Sequence, residues 1–161
     1  MPLDPALAGR SLPPTRPHDV SRHEISRFAA AVGETDPVHH DVAAARAAGH
    51  RDLPAPPTFP IVVAFDAMTA LLADPAVGIE LRDVVHSTQR FETDRCVYAG
   101  DVLTATLTVE SLRSAAGTDL VGTRTDVATV DGERVCTAYA TLAHRAPAGG
   151  ACADSTGGAG A

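Results

Sequence analysis

"PPTFPIVVAFDAMTALLADP", running from Pro56 to Pro75, is the stretch on which the fold turns. Its prolines gather at the start, where the N–H groups of a helix's first turn lack intrahelical partners anyway, and Asp74-Pro75 closes it. Between those ends nearly every position is apolar. A helix that is apolar all round has to be wrapped on most sides, so the pattern predicts a buried helix at the centre of the fold. The apolar part, Phe59 to Leu72, contains Asp66 and falls short of the roughly 20 apolar residues that a bilayer span needs, so no membrane crossing is expected.

Upstream, "SRHE" at Ser21 to Glu24 has the form of a capping box, serine accepting from the first turn and glutamate reaching back. Ile25, Phe28, Ala29 and Val32 then recur at helical spacing up to Gly33, a C-terminal cap. The polar stretch "AAVGETDPVHHD", Ala30 to Asp41, therefore begins where a helix stops. Asp41 can cap a short alanine-rich helix through Ala48, closed by Gly49, and "LPAPP" from Leu53 to Pro57 breaks regular structure.

Downstream the period changes. "VVHSTQRFETD", "DVLTATLTVESL", "TDLVGTRTDVATV" and "RVCTAYATLAH" read as strands, and Leu103, Ala105, Leu107 and Val109 alternate with threonines as a half-buried strand requires. "YAGD" and the "DGE" at Asp131 to Glu133 are turn signals that join neighbours antiparallel. Helices first and strands afterwards, with one greasy helix, predict an α+β domain whose curved antiparallel sheet wraps that helix. Residues 1–145 make this one domain, and the Gly/Ala-rich tail 146–161 has nothing to bury and is expected to be disordered.

Composition narrows the function classes. The 13 basic residues, all arginine, face 20 acids for a net charge of −7, which leaves no basic face to follow phosphates and argues against nucleic acid as a partner. Cys96, Cys136 and Cys152 are far apart with no CxxC spacing, against a disulfide framework or a thiolate metal site and in favour of a reducing cytoplasm. The N-terminus has an acid and several prolines in place of a charged start and an apolar run, unlike a secretory signal.

The chemistry-bearing residues cluster in the loop. Glu34 and His39 flank Pro37, so both side chains could face one cleft, where a carboxylate and an imidazole can hold and polarise a water molecule. The bland reading of the same residues is a solvated Glu34, an Asp36 capping its own turn, and surface histidines at His39 and His40.

The order helix, "GETDPVHHDVAAA", "APPTF" and apolar helix resembles the MaoC-like hot-dog family of (R)-specific enoyl-CoA hydratases and 3-hydroxyacyl thioester dehydratases. That family's loop reads roughly G-D-x-N-P-x-H-x-D, and its catalytic aspartate and histidine correspond to Glu34 and His39, with Gly33, Pro37 and Asp41 also matching. The resemblance extends over about residues 7–145 and implies a single hot-dog domain. It also marks departures. Glu34 replaces aspartate and lengthens the arm by a methylene, Asp36 replaces asparagine and adds a charge beside His39, and Pro57 stands about where the family has a glycine whose N–H helps bind the thioester oxygen. The "APPTF" form is similar to the MaoC dehydratase N-terminal-domain subgroup, some members of which are non-catalytic halves paired with a catalytic one.

The resemblance implies hydration of trans-2-enoyl thioesters, or dehydration of (R)-3-hydroxyacyl thioesters, with water held by Glu34 and His39 and the thioester oxygen met by the N–H groups of Thr58 and Phe59. Asp36 and His86 are candidates to line the site, His86 reading first as a strand histidine satisfied by its neighbours; no metal or cofactor is required, and the substrate rides on coenzyme A or an acyl carrier protein. Arg51 and Arg95 are candidates for its phosphates, with solvated arginines as the alternative, whereas Cys96, Cys136 and Met68 read as packing residues. The implied assembly is a homodimer or a heterodimer with a second MaoC-like subunit. Alternatives are a non-catalytic acyl-binding partner in a heteromeric dehydratase and, behind it, a hot-dog thioesterase.

Overall fold

A computed structural model describes residues 3–115 and 117–145, so the tail expected to be disordered lies outside the described residues. The elements run β1 (His18–Asp19), α1 (Arg22–Ala31), α2 (Val42–Ala47), α3 (Ile61–Leu72), β2 (Val84–Thr93), β3 (Val102–Ala115), β4 (Thr118–Thr129) and β5 (Arg134–Arg145). All strand pairs are antiparallel, in the order β1-β3-β4-β5-β2. Irregularities between His86 and Thr88, Val109 and Ser111, and Val127 and Ala128 break the ladders, and such bulges bend a sheet. The sheet curls around α3, which is the hot-dog architecture.

Alternation on β3 holds as read: Leu103, Ala105, Leu107 and Val109 are fully buried against the helix side. Across from Val109 and Leu107 stand Thr123 and Thr125 on β4, with Ala140 and Ala138 beyond them on β5. Helix α3 supplies Val63, Ala64, Ala67, Met68 and Leu71 to the core. It is not covered all round, however. Phe65, Asp66, Thr69 and Ala70 are exposed, because one curled sheet covers one side of a helix and the described loops leave the opposite side open. No helix among the described residues is long and apolar enough to cross a membrane.

The two edges of the sheet differ. Along β3 the N-terminal segment lies in register, with Gly9, Leu12 and Thr15 donating to the carbonyls of Val109, Leu107 and Ala105 at 2.8, 2.9 and 2.9 Å. Leu3 and Leu7 bury beneath it. At the far edge β2 has only β5 as a partner among the described residues, and most of its side chains, Val85 at 67% included, face solvent.

Candidate functional site

The candidate loop begins with a helix stop. Gly33 adopts φ 77°, a region open to glycine without steric penalty. Its N–H reaches Ala30 O at 3.2 Å while the Glu34 N–H reaches Ala29 O at 2.8 Å, the paired bonds of a Schellman motif. The N-terminal end of α1 is capped by Ser21, which accepts from Glu24 N–H at 3.1 Å. Glu24 does not complete the box. Its carboxylate meets His18 Nε2 at 2.9 Å, so its charge ties β1 to α1 instead.

Within the loop, Asp36 Oδ1 accepts from Val38 N–H at 3.0 Å and starts a single 3₁₀ turn, Pro37–His39. Asp41 caps α2 by accepting from Ala43 N–H at 2.9 Å. His40 faces back toward α1: its Nε2 lies 3.0 Å from the Glu34 carbonyl and its Nδ1 2.8 Å from Ser26 Oγ. A carbonyl only accepts, so Nε2 carries the proton and Ser26 donates to Nδ1. His40 is a clip.

His39 is held differently. Its Nδ1 lies 2.8 Å from the Pro54 carbonyl, which assigns the proton to Nδ1 in the neutral ring and leaves the Nε2 lone pair without a donor among the described residues. Glu34 is half-buried, and its Oε1 accepts from Asp36 N–H at 3.1 Å; no hydrogen bond or ion pair joins Glu34 to His39. The loop thus presents a carboxylate and an imidazole on one short turn, each with one oxygen or nitrogen fixed by backbone and another open. Water bridging those open atoms is the chemistry such a pair can support.

The neighbouring turn carries less. Pro57 has no N–H, Pro60 at the N-cap of α3 has none, and Phe59 N–H donates to Pro56 O at 2.9 Å. The N–H groups of Thr58 and Phe59 are both expected from the sequence to be open, and this bond corrects that for Phe59. Thr58 N–H remains without an acceptor among the described residues. The Phe59 ring itself is fully buried, with its centroid 5.3 Å from that of Phe28 at an interplanar angle of 77°. It packs. His86 stands exposed on edge strand β2, opposite Leu142, on a different element from the loop.

Arg51 and Arg95, candidates for ligand phosphates, are already engaged. Arg51 Nη2 donates to Asp101 Oδ1 at 2.5 Å, and Arg95 Nη1 donates to Asp101 Oδ2 at 2.7 Å. Arg95 also pairs with Glu133 at 3.0 Å. Burial, the largest influence on Asp101, pushes its carboxyl up, but bonds from Arg95 and Tyr98 N–H and the charge of Arg51 outweigh it and hold it below the usual range. Asp52 is clamped by Arg22, whose Nε and Nη2 donate at 2.8 and 2.6 Å; with Leu53 N–H this lowers the carboxyl to about 2. Burial pushes the Cys136 thiol up, as suits a packing residue, whereas Cys96 is exposed rather than packed.

Sequence reasoning missed the Pro54 carbonyl, Ser26 and Asp101. "LPAPP" was visible only as a breaker and "YAGD" only as a turn; an aspartate ending a turn, with arginines on both flanking segments, was the available signal for Asp101.

This loop on a curled sheet defines a MaoC-like hot-dog domain, and comparison with known proteins narrows it. The family described as FAS1-like, dehydratase domain region, matches residues 6–138, and the chain belongs to it. A UPF0336 protein of Leifsonia xyli subsp. xyli is 51% identical over 90% of this chain and 97% of its own length. Among solved structures, a chain of the C-terminally truncated HadBC (3R-hydroxyacyl-ACP dehydratase) complex from Mycobacterium tuberculosis superposes with a TM-score of 0.74 at 32% identity, covering 85% of this chain and 96% of that one. A MaoC-like dehydratase gives a TM-score of 0.79 at 29% identity over 88% of this chain and 43% of that longer one.

Proposed function

We propose that this protein is the acyl-binding partner subunit of a heteromeric (3R)-hydroxyacyl-thioester dehydratase, its substrate carried on an acyl carrier protein or coenzyme A. The observation that carries this reading is the oxyanion turn. Acyl-thioester chemistry through an enolate needs N–H donors aimed at the oxygen, each worth about 10²–10³ in rate. Here Pro56, Pro57 and Pro60 carry no N–H, Phe59 N–H is spent on Pro56 O, and Thr58 N–H is the one left open among the described residues. Likeness to a chain of the HadBC complex supports a second subunit. The bare edge of β2 gives such a subunit a ladder to extend, and we place the pairing there. The experiment is reconstitution: the chain alone leaves the conjugated absorbance of a trans-2-enoyl thioester unchanged, and mixing with a MaoC-like subunit whose loop carries the intact G-D-x-N-P-x-H pattern produces turnover. Full turnover by the chain alone contradicts it.

A second reading, stand-alone hydration, is favoured by His39. With Nδ1–H fixed on Pro54 O, its Nε2 lone pair is presented as a base would be. In that reaction Glu34 and His39 hold the water, its oxygen bonds to C3 of the enoyl thioester, a proton reaches C2 through His39, and Thr58 N–H meets the thioester oxygen. Turnover by the isolated chain that His39→Ala abolishes identifies this reading.

A further inference from the structure

We infer that Asp101, on the turn entering β3, is the positioning residue that sets the tautomer of His39. The inference rests on His39 belonging to the site, and it reaches the ring through a continuous set of bonds. Asp101 is buried at 7% exposure and accepts from Arg51, Arg95 and Tyr98 N–H at 2.5, 2.7 and 2.9 Å. The bond to Tyr98 N–H, with Asp101 N–H returned to Tyr98 O at 3.1 Å, fixes the shape of the turn from Val97 to Asp101. That turn is bridged antiparallel to Leu53–Ala55: Ala55 N–H donates to Val97 O at 2.8 Å, and Ala99 N–H to Leu53 O at 3.1 Å.

Between those two bonds sits Pro54. It has no N–H, and its carbonyl is the one that takes the His39 Nδ1 proton. Arg51 reinforces the link from the other strand of the bridge, since its guanidinium bonds Asp101 and also lies 4.7 Å from the Tyr98 ring centroid. His50 Nδ1 meets the Tyr98 hydroxyl at 3.1 Å and closes the same corner. One carboxylate on the turn entering β3 therefore braces the partner of the two backbone bonds that hold the Pro54 carbonyl. Without it, only the two backbone bonds at Leu53 and Ala55 hold that carbonyl, the turn they rest on is unbraced, and the imidazole proton moves more readily to Nε2, blocking the lone pair there.

The test reads the ring, not turnover, so it stands whichever functional reading holds. Long-range ¹H–¹⁵N spectra of histidine-labelled protein are compared for wild type, Asp101→Ala and Arg51→Ala; Arg51 is exposed, so the second variant keeps the fold if the first does not. Wild-type His39 is expected in the Nδ1–H form. In the variants the ratio of Nδ1–H to Nε2–H falls about five-fold, the effect of one ordinary hydrogen bond on an equilibrium. His40, held by Ser26 and the Glu34 carbonyl, stays Nε2–H and is the internal control. A wild-type His39 protonated on Nε2, an unchanged ratio in folded Arg51→Ala, or an equal shift of His40 overturns the inference.

Discussion

The Gly33–Asp41 loop and the Ala55–Pro60 turn, the two segments proposed to form the site, are built to opposite standards. In the loop, Asp36, Asp41, His39 and His40 each have a fixed partner, so its geometry is set before any ligand arrives. In the turn, N–H groups are absent at Pro56, Pro57 and Pro60 and spent at Phe59, and Thr58 alone keeps one open among the described residues. A catalytic centre needs both. The contrast teaches that a chain can keep the histidine and carboxylate of the loop while its turn retains a single open N–H, at Thr58, among the described residues.

The contrast breaks most severely at Phe59, where the turn acts as core. Phe59→Ala removes a fully buried ring packed edge-on to Phe28, and about 3–5 kcal/mol of stability is expected to go, read as a lower urea midpoint with an unchanged slope. Pro57→Gly sharpens it instead. Pro57 is exposed, so the fold should tolerate the change, and the restored N–H is expected to raise hydration of a trans-2-enoyl thioester by the isolated chain about 100-fold over its background.

Ser26→Ala loosens the loop alone by removing the donor to His40, at a cost of about 1 kcal/mol measured by urea denaturation, with the turn unaffected. The smallest effect belongs to Asp52, which lies between the two regions in sequence. Arg22 lowers its folded carboxyl to about 2 from the ordinary 3.8, so the clamp's contribution is complete above the unfolded value and fades as pH falls through the folded one. Stability profiles of wild type and Asp52→Asn should therefore differ above about pH 4 and converge toward about pH 2.

Most of the architecture was legible because it rests on periodicity. The alternation of Leu103 to Val109 and the apolar run of α3 each report burial directly, and Ser21, Gly33, Asp41 and Gly49 mark helix ends whose backbone bonds they satisfy. Glu34 and His39 were legible as a spacing around Pro37. What stayed hidden depends on long-range placement: Pro54 O reaching His39, Asp101 drawing in Arg51 and Arg95, and Glu24 turning to His18 rather than to its own cap. The open side of α3 was equally unreadable, since composition reports that a helix is apolar and not how much of it one sheet can cover.

The measurement that bears most directly on the partner-subunit account is enoyl-thioester turnover before and after mixing with a second MaoC-like subunit carrying an intact loop and oxyanion turn. The account predicts no turnover by this chain alone, turnover by the mixture, and survival of that turnover when His39 of this chain is changed to Ala. Turnover by this chain alone that His39→Ala removes would contradict it.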